Sequence, residues 1–364
     1  MLLKTIIAEL ERFAPLSYQE SYDNCGLLTG TKEQDVTAAL LCLDCTEAVV
    51  DEAILKKCNL IIAHHPIIFG GLKKINGANY VERTIIKAIQ NNIAIYACHT
   101  NLDNVKAGVN KKIADKLGLV NQRILSPKKS LLKKLVTFVP ATHLDIVRDS
   151  LFNAGAGNIG NYDSCSFTVE GKGTFRGNEQ SNPVIGEKGK LSLENEVRLE
   201  LIFESVNEGN MLSALKQCHP YEEIAYDIYQ LENSYQNIGS GMVGELDNPI
   251  PENEFLEQLK TVFKVKFLKH TALLNKPIQK VALCGGSGSF LLKNAINLKS
   301  DIYISSDFKY HEFFDAENKI VIADIGHYET EQFTPEIFYE IISNKFPTFA
   351  SYLTETNTNP VNYF

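Results

Sequence analysis

The 364-residue chain has no apolar run approaching the roughly 18–20 residues that cross a membrane, although 44% of its residues are hydrophobic. None of its segments reads as a membrane-spanning helix. The N-terminal MLLKTIIAELERF imitates a signal peptide, but Lys4, Glu9, Glu11 and Arg12 interrupt it at helical spacing and no small-residue cleavage site follows. An amphipathic first helix is expected instead, in a cytoplasmic protein. A positive excess is missing as well. The formal charge is -8, and no basic stripe of the kind that binds nucleic acid is present. The longest basic cluster, Lys128-Lys129 with Lys133-Lys134, reads as a solvated linker. The eight cysteines stand singly, mostly inside apolar segments, which argues against a disulfide framework. Cys42 and Cys45 have CxxC spacing, but no second pair completes a zinc site. Nucleotide loops are also wanting. KVALCGGSGSF follows a strand, yet it carries neither GK[ST] nor a full GxGxxG. Its glycines serve either to hold an anion on backbone N–H groups or to make a tight packing turn.

What is present is a regular alternation. Over the first 120 residues, helical patterns (LKTIIAELERF, TEAVVDEAILKKC, YVERTIIKAIQNN, AGVNKKIADKLG) alternate with buried strands (VTAALLCLD, NLIIAHH, IAIYACHT). Thr46 is placed to cap the second helix. This order predicts an α/β fold with a largely parallel sheet and helices on both faces. From about Ser126 the pattern changes to strand-helix-strand twice over, with a Gly-, Ser- and Asn-rich stretch at 176–195. Residues 126–236 therefore read as an inserted ferredoxin-like α+β domain. After Asn237 the α/β rhythm resumes, so residues 1–125 and 237–364 are expected to form one discontinuous core. The glycines of NIGSGMVGEL suit a tight re-entry turn.

The chemistry lies at the ends of the apolar runs. His64 and His65 close one strand, with Pro66 breaking it so that both rings can face one cavity. His99 and Asp103 follow another strand, and His327 and Glu331 a third. His327 and Glu331 are four apart and share one face of a helix. Imidazoles and carboxylates in this number favour two divalent ions of the zinc, iron or manganese kind. Ligands in parallel sheets also collect outside the carboxyl ends of strands. Each residue has a plainer reading: a half-buried histidine, an Asp103 helix cap, an exposed Glu331. Asp307, Lys309 and His311, after DIYISS, are placed to line the same cavity.

Taken together, YDNCGLLTG, IIAHHPIIF, HTNLDNVKAGVN, GSGMVGEL, CGGSGS, SSDFKYHEFFDA and GHYETEQF resemble the GTP cyclohydrolase 1 type 2 homologues, also called the NIF-three-like family. The segment ending in CHPYEEIAYDIY looks like the CutA- or P-II-like domain of the longer bacterial members. The resemblance implies that His64 and Asp103 bind one metal and His65 and His327 the other, with Glu331 bridging. It also implies a ring-shaped homohexamer. Met242 stands where the family's glycine-rich segment is expected to carry an arginine. The implied activity is hydrolytic opening of the guanine imidazole ring to formate and a dihydroneopterin triphosphate, on a small-molecule nucleotide substrate. His99, His311 and Glu329 are its candidate proton carriers. Two other functions stay open: a non-enzymatic metal-binding scaffold or regulator whose insert senses a small molecule, and a dimetal phosphoester hydrolase.

Overall fold

The computed structural model describes residues 1–362. The chain divides into two compact units, one made of Met1–Pro127 with Asn237–Phe364 and the other of Lys128–Gln236.

The first unit is mixed α/β and holds two sheets. In the five-stranded sheet the order is Gly26–Thr29, Ala94–Ala97, Leu60–His65, Ala38–Asp44, Ala350–Leu353. All neighbours are parallel except the first pair. Its central strands are apolar up to their carboxyl ends, as burial on both faces demands; Leu60–Ala63 and Ala39–Cys42 are fully enclosed. Leu40, Ile61, Ile85, Ala88 and Ile95 share one core cluster with Val49 and Val50. Those two valines lie on the helix Glu47–Leu55, whose first turn is capped by Thr46 accepting from Val49 N.

The six-stranded sheet runs Lys269–His270, Val321–Asp324, Ile302–Ser306, Ile278–Ser287, Tyr235–Ile250, Val120–Lys128. Its three central members are parallel and flanked by antiparallel neighbours. The strands of the first 120 residues thus lie in a largely parallel sheet, as their alternation predicts, and the strands after Asn237 build most of a second, mixed sheet. NIGSGMVGEL does not form a re-entry turn: it lies within the long strand Tyr235–Ile250. Its glycines answer to close packing, since a Cβ on Gly239 would stand 2.2 Å from Ser126 O and one on Gly241 2.8 Å from Leu283 O.

The second unit carries strands Leu132–Pro140, Ser166–Phe175, Ser192–Glu204 and Tyr226–Leu231, with helices Leu144–Asn153 and Glu208–Cys218. Its sheet order places the first and third strands side by side in the centre, all pairs antiparallel. That is the βαββαβ ferredoxin-like arrangement. Alternate residues Leu135, Val139, Leu199 and Leu201 face the helices and pack on Val147, Leu151, Met211 and Leu215.

Candidate metal centre

Three strand ends of the first unit deliver the site. His64 and His65 end the strand Leu60–His65, and Pro66 stops it. Successive side chains of a regular strand diverge, yet here the two rings lie with centroids 4.9 Å apart. Beyond Ala97 the chain turns into the short helix Thr100–Asn104, which carries Asp103. Asn101 stabilises that turn by accepting from His99 N. After Asp324, Gly326 at φ +101° starts the helix His327–Glu331. Only glycine adopts such a backbone without strain.

These side chains converge. His64 Nε2 lies 3.6 Å from Asp103 Oδ1 and 3.8 Å from Glu331 Oε1. Glu331 Oε2 lies 3.0 Å from His65 Nε2 and 3.1 Å from His327 Nε2, without an aligned hydrogen bond. The Nε2 atoms of His65 and His327 are themselves 3.4 Å apart. Three groups can each hold a metal ion: His64 with Asp103 and Glu331, His65 with His327 and Glu331, and His64 with His65 and His99.

The donor chemistry fits a cation. His64 Nε2, Asp103 Oδ1 and Glu331 Oε2 are buried and hydrogen-bonded to nothing. Leaving such an atom unsatisfied costs about 1–3 kcal/mol, a cost that His65 and His327 at 3.0 and 3.1 Å offset in part for Glu331 Oε2. A cation among them would remove that cost. The far ring nitrogens are already engaged. His64 Nδ1 donates to Cys98 O at 2.9 Å, His65 Nδ1 to Asp44 Oδ1 at 2.7 Å, and His327 Nδ1 to Asp307 Oδ2 at 2.6 Å. Each Nε2 is thereby aimed inward, the arrangement that metal-bound histidines use.

Electrostatics agree. Burial pulls His64 down to about 4, which keeps its ring neutral and Nε2 free to donate its lone pair. Burial also opposes charge on His65 and His327, but Asp44 and Glu331 raise the first to about 10, and Glu331 and Asp307 the second to about 9. Asp103 is pushed up by burial and by Glu331. Glu331 is held down, against burial, by His327, His64 and His65. Protons thus occupy positions from which a divalent ion would displace them.

The other residues singled out in the sequence fall differently. His99 stands beside the cluster, ring centroids 5.2 Å from His64 and 5.3 Å from His65, with Nδ1 held by Asp23 at 2.9 Å. Glu329 is buried nearby, its Oε1 accepting from Asn359 Nδ2 at 2.9 Å, and joins no candidate group among the described residues. His311 is exposed, packs on Tyr310 and Phe314, and joins none of the three groups among the described residues. Lys309 engages Glu312 through its backbone. Gly285 and Gly286 of KVALCGGSGSF lie within the strand Ile278–Ser287. Gly285 N donates to Asn110 Oδ1 and Gly286 N to Thr330 Oγ1, so neither is free for an anion. Met242 is buried in the sheet opposite Leu283. Asp44 and Asp23 carry roles that the motifs do not announce. The one signal for Asp44 is positional: it closes the strand beside His65 and is register-paired with it.

A family model described as Duf34/NIF3 (NGG1p interacting factor 3) matches residues 1–360. The chain belongs to the Duf34/NIF3 family. A GTP cyclohydrolase 1 type 2 homolog of Halalkalibacterium halodurans is 41% identical over 89% of this chain and 88% of its own length. The Bacillus subtilis protein of the same description is 37% identical over 98% and 97%. Among solved structures, a Bacillus cereus protein related to NIF3 superposes with a TM-score of 0.86 at 36% identity, covering 100% of this chain and 99% of that one. Reduced HcgD from Methanocaldococcus jannaschii, at 19% identity and a TM-score of 0.58, shares the Duf34/NIF3 fold.

Proposed function

We propose that this Duf34/NIF3 chain is a dinuclear-metal hydrolase that hydrolyses the imidazole ring of GTP and releases its C8 as formate, with rearrangement of the ribose carbons and ring closure then giving a dihydroneopterin triphosphate. The supporting observation is the convergence of three orphaned buried atoms, on His64, Asp103 and Glu331, in two ligand groups that share Glu331. On this reading His64 and Asp103 would hold one ion, His65 and His327 would hold the other, and Glu331 would serve both. Divalent ions bound there would acidify water and polarise an electrophile. His99 is the proton carrier of the scheme, because Asp23 fixes its ring beside the ligands. The names of the relatives support the nucleotide. The zinc, iron or manganese identity of the ions, the cytoplasmic location and the homohexamer belong to the same proposal.

Elemental analysis and turnover test it together. Purified protein should carry about two ions per chain, and metal-loaded protein should release formate from GTP. His99→Ala should keep the ions and lose the formate. Inorganic phosphate in place of formate would favour the phosphoester hydrolase. Bound metal with neither product, across a nucleotide panel, would favour the scaffold.

A further inference from the structure

The strand Ala350–Leu353 runs parallel to Ala38–Asp44, with Leu353 opposite Leu41 and Thr354 N donating to Leu41 O at 2.9 Å. The chain beyond it therefore advances toward the end of its neighbour, where Asp44 stands. Glu52 fastens the first part of this segment, accepting from Thr354 Oγ1, Glu355 N, Thr356 N and Thr356 Oγ1. Two residues later Thr358 Oγ1 donates to Asp44 Oδ2 at 2.6 Å, while the other oxygen of that carboxylate accepts from His65 Nδ1. Asn359, Pro360 and Val361 then form one wall of a cavity of about 520 Å³ that His65 and His327 also line.

We propose that Thr358 is a positioning residue for the metal centre, holding the Asp44 carboxylate so that His65 directs Nε2 at its ion. The proposal rests on the metal-binding reading above. A carboxylate with one oxygen tied can present only the other to the ring, which fixes both the rotamer of Asp44 and the tilt of His65. Without the threonine hydroxyl, Asp44 is free to rotate and His65 loses its anchor. The ion on His64 and Asp103 has a separate support, the Cys98 carbonyl, and should be indifferent. Thr358 is half-buried near the end of a surface segment, so a change there is expected to leave the fold intact.

The experiment is competition for Mn²⁺ or Zn²⁺ between the full chain and a chromophoric chelator. Thr358→Val should weaken one of the two ions by about tenfold, as loss of an outer hydrogen-bond partner typically does, and leave the other unchanged. Thr358→Ser, which keeps the hydroxyl, should restore it. Asp44→Ala should lose at least as much, and adding Thr358→Val to it should cost nothing further, because one acts through the other. Wild-type affinity in Thr358→Val, or independent losses in the double variant, would overturn the proposal. A wild type that binds no ion would instead sink the dimetal reading. In that case the hydrogen bond itself decides, in metal-free protein labelled with ¹⁵N-histidine. The His65 Nδ1 proton should exchange with water faster in Thr358→Val than in wild type or Thr358→Ser, and an unchanged rate would overturn the positioning role.

Discussion

Glu331 is the residue on which both ligand groups depend. It is buried, its two oxygens face different histidines, and its backbone sits four residues after His327 on one helix face. Glu331→Ala should therefore deplete both ions, whereas Asp103→Ala should chiefly empty one. Full metal content in Glu331→Ala, by elemental analysis, would remove the bridging role. A second prediction concerns the space around that carboxylate. Gly286 has φ +63°, and a Cβ there would stand 2.3 Å from Glu331 Oε1 and 3.3 Å from His327 Cε1. Gly286→Ala should push Glu331 out of place and lower metal affinity by about tenfold or more, a loss of at least roughly 1.4 kcal/mol. Gly71→Ala, at a position with nothing within 4 Å, is the control that should bind as wild type.

Among the elements, the segment that follows the strand Ala350–Leu353 is held by a single partly buried carboxylate, Glu52 of the helix Glu47–Leu55. Burial raises the Glu52 pKa, but hydrogen bonds from Lys56, Thr354, Thr356 and the Glu355 N–H outweigh it and bring the group from 4.5 down to about 2. A folded-state value below the unfolded one means that the unfolded chain binds the proton more readily in between. The stabilisation is thus present in full above about pH 4.5 and is lost as the pH falls toward about 2. Glu52→Gln should cost about 1–3 kcal/mol at pH 7, and the gap from wild type should narrow as the pH falls below 4.5. Urea unfolding of both proteins at pH 7 and at acid pH measures it, and a gap independent of pH would refute the assignment. This strand is also where sequence reading fell short. Its residues Ala350, Tyr352 and Leu353 are exposed on a sheet edge, so no buried alternation marks it. The central strands were legible because both their faces are covered, and their ends located His64, His65, His99 and His327. Asp44, Asp23 and Thr358 were not, because each acquires its role only from a partner brought near by the fold. The division of the core into two sheets was hidden for a related reason: periodicity identifies strands, whereas their neighbours follow from packing.

For the whole molecule, the grouping of the ligands bears on whether the insert is needed at all. Every residue of the three candidate groups belongs to the unit Met1–Pro127 with Asn237–Phe364. The two flanks of the excursion are already neighbours there, since Val120–Lys128 and Tyr235–Ile250 lie side by side in the six-stranded sheet. Gly239 approaches Ser126 so closely that a Cβ would meet the carbonyl at 2.2 Å. A linker of a few residues between Pro127 and Asn237 would therefore bridge a short gap and leave the sheet order intact. The unit also keeps its own core clusters, one beneath each sheet, while the excursion carries a separate one. Removing residues 128–236 should yield a folded protein with the same metal content per chain as the full-length form. Circular dichroism and elemental analysis of the deletion variant check both parts. A well-folded variant without metal would show that the insert supplies a ligand or a wall of the site, and the metal centre could no longer be assigned to the α/β unit alone.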